Sequence, residues 1–116
     1  MEELKLITPT ARKEHTCMWC GCKIKKGEKY ERQTIKWDGQ IYDWICHLEC
    51  RELTGILNMF ESDLGDGINK DTFLEYIDYW VNNHHCNEEG VYDEGFDPNV
   101  VSYHEIVLKI LEEEKR

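Results

Sequence analysis

Apolar positions recur along the chain in three helical stripes and two strand-like runs. Phe73, Tyr76, Ile77, Trp80 and Val81 fall at i, i+3, i+4, i+7 and i+8, the spacing that lines one face of a helix, and predict a helix over residues 70–84. Asn69 is a good N-cap for it, with Ile68 and Phe73 in the hydrophobic-staple positions. The same template returns in Tyr103, Ile106, Val107, Ile110 and Leu111, behind a Ser102–Glu105 capping box, and predicts a last helix with an exposed, charged end. A shorter stripe of Leu53, Ile56, Leu57 and Phe60 predicts a helix beginning near His47, slightly weakened by Gly55. Upstream, residues 29–36 and 41–46 are β-rich and flank Trp37-Asp38-Gly39-Gln40. Asp-Gly tolerates positive φ at both positions, so these runs are expected to form a hairpin.

The 116 residues suffice for one ordinary domain and exclude a multidomain enzyme. There are no internal repeats and no Pro- or Ser-rich linker, and Pro9 and Pro98 both sit at expected element boundaries. We therefore expect a single domain over 1–116, with a cysteine-bearing part at 11–60 and an acidic helical extension at 61–116. No apolar run approaches the roughly 18 residues of a membrane span. Residues 1–10 carry Glu2 and Glu3 where a secretory leader has basic residues, so a cytoplasmic protein with no membrane partner is expected. Six cysteines in that setting read as reduced thiols and metal ligands rather than disulfides.

Their spacing is specific. Cys17-x-x-Cys20 is followed, after 26 intervening residues, by His47-x-x-Cys50. Two ligands in a tight turn and two more one helical turn apart can close a tetrahedron around zinc. Gly21 directly after Cys20 fits the turn. The expected order is knuckle, β-hairpin, then a helix whose first turn carries the last two ligands. The expected fold class is therefore α+β, a treble-clef zinc finger with a C-terminal helical extension, and the expected cofactor is Zn. Cys46, four residues from Cys50, rivals His47 for the fourth position; we favour His47, because the last strand should end at Cys46. A second site from Asn83, His84, His85 and Cys86 has suitable ligand types, but surface histidines at a helix C-terminus explain the same residues more simply.

The run Cys17-Met18-Trp19-Cys20-Gly21, Ile24-Lys25-Lys26-Gly27-Glu28-Lys29-Tyr30, Asp38-Gly39, Tyr42 and His47-Leu48-Glu49-Cys50 resembles the small treble-clef proteins of bacteriophage and mobile-element genomes. More distantly, its ligand pairs are similar to those of PARP-type and LIM-type fingers. The resemblance covers residues 11–50. It implies a zinc-stabilised fold and says little about activity.

The sequence carries none of the common catalytic motifs. HNH nucleases share the treble-clef scaffold but place a general-base histidine between the ligand pairs, and none lies between Cys20 and Cys46. An EF-hand reading with Gly67 at the sixth loop position puts Ser62, Leu64 and Phe73 at positions one, three and twelve, where carboxylates belong. No phosphate loop or Gly-x-Ser-x-Gly motif occurs. A non-enzymatic protein is expected.

Charge then separates two binding hypotheses. Net charge is −10, yet residues 1–50 are close to neutral, and residues 61–97 hold eleven acids against Lys70 alone. In the first hypothesis the acids, chiefly Glu88, Glu89, Asp93, Glu94 and Asp97, with Phe60, Tyr79, Tyr92 and Phe96 beside them, dock into the basic nucleic-acid-binding groove of a host protein. That is the behaviour of a phage-type accessory protein, an inhibitor of a CRISPR effector (an anti-CRISPR) or of another defence protein. A merely solubilising acidic face is the plain alternative. In the second hypothesis Lys23, Lys25, Lys26, Lys29, Arg32 and Lys36 bind nucleic acid directly, with Trp19, Tyr30, Trp37 and Trp44 available for stacking. The net charge opposes this, so protein docking ranks first. Oligomeric state is not legible.

Overall fold

The structure is a computed structural model that describes residues 2–59 and 68–115, and the side chains of 2–4 and 37 are not described. Phe60, Glu61, Asp63, Asp66 and the first half of the loop tested as an EF-hand, residues 62–67, lie outside the described residues.

The chain is α+β, with two antiparallel sheets and three helices among the described residues. Strand β1 (Glu2–Ile7) pairs with β4 (Tyr30–Trp37), which pairs with β5 (Gln40–His47), giving the order β1-β4-β5. The β4–β5 register runs from Tyr30 opposite His47 to Trp37 opposite Gln40. Asp38 and Gly39 close it with φ of 52° and 77°, the two left-handed residues that a type I′ turn requires. A second, minimal sheet joins β2 (His15–Thr16) to β3 (Lys23–Ile24) and brackets the Cys17–Cys22 turn.

Helix α1 (Leu48–Ile56) begins directly at the end of β5 with His47 as its N-cap. It is shorter and rotated relative to the expected stripe. Its buried side chains are Cys50, Leu53 and Thr54, whereas Ile56 and Leu57 are half-buried. Leu57 closes the helix, and Asn58 follows with φ of 54°, a left-handed residue that ends the helical run. Helix α2 (Lys70–His84) starts as expected, with the Asn69 side chain accepting from Thr72 N at 2.8 Å. Helix α3 (Tyr103–Glu114) starts at Ser102, whose Oγ accepts from Glu105 N at 3.2 Å.

One cluster of buried residues runs through both parts of the chain, from Ala11 and Ile24 through Leu53, Phe73, Ile77 and Val81 to Ile106, Val107 and Ile110. Polar ties lock the helices over it. Tyr103 OH donates to Asp78 Oδ1 at 3.0 Å, Trp80 Nε1 donates to Glu114 Oε1 at 2.8 Å, and Lys115 pairs with Glu52. These ties place the start of α3 over the end of β5, where the cysteines converge.

Candidate metal centre and charged surfaces

The Cys17–Cys22 turn is a tight knuckle. Cys17 N donates to Cys22 O at 2.9 Å and Gly21 N donates to Cys17 O at 3.0 Å, with Gly21 at φ of 75°. An L side chain at that φ is strained, and its Cβ would also press on the Lys70 ammonium. The knuckle is pinned to β5 on two sides, since Met18 N donates to Ile45 O at 2.8 Å and Ile45 N approaches Met18 Sδ at 3.3 Å. Strand β5 therefore delivers His47 to the cysteine pair, and the first turn of α1 adds Cys50.

Cys17, Cys20, His47 and Cys50 form a fully buried group whose donor atoms all lie within 4.8 Å of one another. Zinc–sulfur bonds of about 2.3 Å at tetrahedral angles put two thiolates about 3.8 Å apart and a thiolate and an imidazole nitrogen about 3.6 Å apart. Cys17 and Cys50 Sγ are separated by 3.8 Å, and His47 Nδ1 lies 3.3 Å from Cys20 Sγ and 3.9 Å from Cys50 Sγ. The outer groups agree. His47 Nε2–H donates to Lys23 O at 3.1 Å, which fixes the tautomer that leaves the Nδ1 lone pair facing the three sulfurs. The backbone N–H groups of Cys20 and His47 both point at Cys17 Sγ at 3.5 Å. These residues fit a metal ion.

Without a metal the cluster keeps only part of its charge. Hydrogen bonds from Cys20 and then Cys50 hold the Cys17 thiol far below its ordinary range. The same bonds push the Cys20 and Cys50 thiols up. Burial works against a charged His47, but its hydrogen bond to Cys17 and that thiolate's charge outweigh it and the imidazole is raised. Cys46 is 1% exposed, lies outside the group, and is held protonated by burial and then by the Cys17 charge. Successive strand residues face opposite ways, so β5 can present His47 or Cys46 to the knuckle but not both.

One neighbour had no sequence signal. The His104 ring, from the first turn of α3, stacks on His47 at 3.8 Å between centroids and 12° between planes. Burial, and then His47, lowers its pKa. It caps the cluster from the far end of the chain.

His84, His85 and Cys86 do not converge. His84 stacks on Trp80 and donates from Nδ1 to Trp80 O, whereas Cys86 turns toward Asn87 O. His85 lies between Asp93 Oδ2 at 2.9 Å and Glu113 Oε2 at 2.7 Å, with its ring on Phe96. Among the described residues, Cys17, Cys20, His47 and Cys50 are the only group with metal-ligand geometry.

The acidic set divides. Glu88, Glu89 and Glu94 are exposed, but Asp93 holds His85 and the half-buried Asp97 accepts from Asn99 N at 2.9 Å. Of the expected aromatic anchors, Tyr79 is 72% exposed and Phe96 only 8%, so Phe96 is core and cannot dock into a partner. The basic set stays on the surface, with Lys23, Lys25, Lys26, Lys29 and Lys36 exposed and Arg32 half-buried. Of its expected stacking groups, Trp19 and Tyr30 are buried and Trp44 is half-buried against Trp19. The Trp37 side chain lies outside the described residues.

No protein-family model matches the chain, and no curated protein and no solved structure matches it. Its class is carried by its own residues: a small α+β protein with a buried Cys3His cluster fit for a metal ion. Among the described residues no helix is long and apolar enough to cross a membrane.

Proposed function

We propose that the chain is a zinc-stabilised, non-enzymatic interaction protein whose knuckle, hairpin and helix form a treble clef. The buried Cys3His cluster is the observation that carries this reading. Three thiolates and an imidazole favour zinc, and four protein ligands leave no open position for a substrate or an activated water. Residues 11–50 resemble small treble-clef proteins of bacteriophage and mobile-element genomes, and the exposed acids Glu88, Glu89 and Glu94 suit a basic groove, so the proposed partner is a host nucleic-acid-handling protein such as a CRISPR effector, which the chain binds and modulates.

Metal analysis tests the first half: one zinc per chain is expected, and none, or iron in its place, contradicts it. Acid supplies a second check. In the metal-bound state three thiols are held as thiolates, below the ordinary thiol value of about 8.5, so the stability they contribute is present at neutral pH and lost as pH falls. Titration should release zinc and reduce ellipticity together. Signals that both stay flat to about pH 3 contradict the reading.

Docking is supported by the Asn87–Asp97 loop, which is braced so that it presents its acids in a fixed form. Asn87 Oδ1 accepts from Glu89 N and Val91 N, and Asp93 N donates to His85 O at 2.7 Å. Glu88→Gln, Glu89→Gln and Glu94→Gln together remove three exposed charges and leave the Asn87 and backbone bonds of the loop in place. A host protein captured from nuclease-treated bacterial lysate by the zinc-loaded chain should elute in high salt and be lost from the triple variant. Undiminished capture contradicts docking through this face.

A second reading, direct nucleic-acid binding, is favoured by the exposure of Lys23, Lys25, Lys26, Lys29 and Lys36 around the knuckle and hairpin.

A further inference from the structure

The connection between β1 and β2 does not pack as a loose loop. Tyr30 N donates to Pro9 O at 3.1 Å, Ala11 N donates to Glu28 O at 2.8 Å, Gly27 N donates to Ala11 O at 2.9 Å, and Thr10 bridges Lys29. These bonds hold the connection against the start of β4 and leave an open groove of about 530 Å³ between them. Pro9, Thr10, Arg12, Lys13, His15, Tyr30 and Arg32 line it.

The lining is unusual for this chain. In a protein of net charge −10 it holds two arginines, a lysine and an imidazole and no carboxylate. Arg12 and Lys13 are exposed at the rim, and the Arg32 Nε is buried without a hydrogen-bond partner, 3.6 Å from Asp43. Arg32 is thus ion-paired with Asp43 beside the groove, and a phosphate oxygen would add a second anion to the same guanidinium, whose fork of five N–H groups can serve both. Tyr30 is 4% exposed, with its ring against His15 at 5.0 Å, so the groove offers cations and no open ring face for a base.

From this we infer that the groove binds the phosphodiester backbone of a single-stranded nucleic acid, read by charge and without base stacking. The inference deepens the nucleic-acid reading above and moves its centre from the hairpin lysines to Arg12, Lys13 and Arg32. A concave groove suits one strand, and a net-negative protein needs such a local cationic channel to hold a polyanion at all.

The test is fluorescence anisotropy of a labelled oligothymidylate of about twelve nucleotides with the zinc-loaded full chain. With three cations on phosphates, the affinity should fall with a log–log salt slope of about −2. Arg12→Ala with Lys13→Ala alters two exposed side chains, so the circular dichroism should be unchanged, while the slope shrinks to about −0.7 and binding weakens about tenfold. Lys25→Ala with Lys26→Ala, outside the groove, should bind within about twofold of the parent. The reverse pattern overturns the groove and leaves the nucleic-acid reading standing. No binding by the parent chain at about 50 mM salt overturns both. Duplex of the same length bound as tightly, or displacement by thymidine monophosphate at equal phosphate concentration, overturns the single-strand assignment.

Discussion

Cys50→Ser should abolish folding of the cysteine-bearing part. Cys50 is fully buried and completes the Cys3His group from the first turn of α1. Serine offers a hard oxygen where a soft thiolate is needed, so the site loses its metal. Structural zinc contributes on the order of 10 kcal/mol to folding. A domain of this size has about 5–15 kcal/mol in all. The loss therefore consumes the margin. It also leaves three titratable ligands buried against one another with nothing to balance them. A strong chelator should do the same to the parent chain, and added zinc should restore it.

Two matched substitutions separate ligation from simple loss of a thiol. Cys22→Ser changes a half-buried thiol outside the group and should keep one metal per chain and a melting temperature close to the parent's. Cys46→Ser puts a hydroxyl into a dry, buried position and should cost about 1–3 kcal/mol with the metal retained. Elemental analysis and thermal melts by circular dichroism check all three. A cooperative Cys50→Ser melt within about 1 kcal/mol of the parent, or metal lost from Cys46→Ser in its place, overturns the assignment.

The parts of this fold legible in the sequence are those set by local chemistry. Asp38-Gly39 specifies its turn because few other residue pairs adopt two left-handed conformations in succession. Asn69 and Ser102 mark helix starts because their side chains meet backbone N–H groups three residues on. The ligand spacing was legible for the same reason, since a knuckle and a helical turn each fix the distance between two donors.

What escaped was set by contacts distant in the chain. Strand β1 has two acids at its start, and its existence depends on pairing with β4 some thirty residues away. Strands β2 and β3, two residues each, are too short to show any period. His104 meets His47 only because α3 folds back across the metal group, and nothing near position 104 announces it. Helix α1 departs from its expected stripe because it ends at Ile56 and because Thr54, which a hydropathy pattern ranks low, joins Leu53 and the metal-group Cys50 on its inward face. Whether Trp19 and Trp44 stack on bases or fill the small core is not legible for a related reason: a β-rich, lysine-rich segment gives no sign of which aromatic the distant helices will cover.

Trp19 shows how far those covering contacts matter, and Trp19→Ala should uncouple the two parts of the chain. It sits inside the Cys-x-x-Cys knuckle, yet its contacts lie with Trp44, Ile68 and Phe73. Its ring stacks on Phe73 at 5.5 Å and 13° and tilts against Trp44 at 5.7 Å. Its Nε1–H donates to Ile68 O at 2.8 Å, just ahead of α2. One side chain thus joins the knuckle, the last strand and the second helix. Removing it opens a large cavity, which for a buried Trp costs about 3–5 kcal/mol, and leaves the Ile68 carbonyl short of a donor. Because the four ligands stay in place, the metal should stay bound while α2 and α3 loosen, so urea unfolding becomes biphasic with the helical signal lost first. Trp19→Phe keeps a ring against Phe73 but loses the N–H and part of the indole's volume, and should cost about 1–3 kcal/mol in a single transition. If Trp19→Ala instead lost its metal while the helices melted normally, Trp19 would belong to the metal site and not to the seam between the two parts.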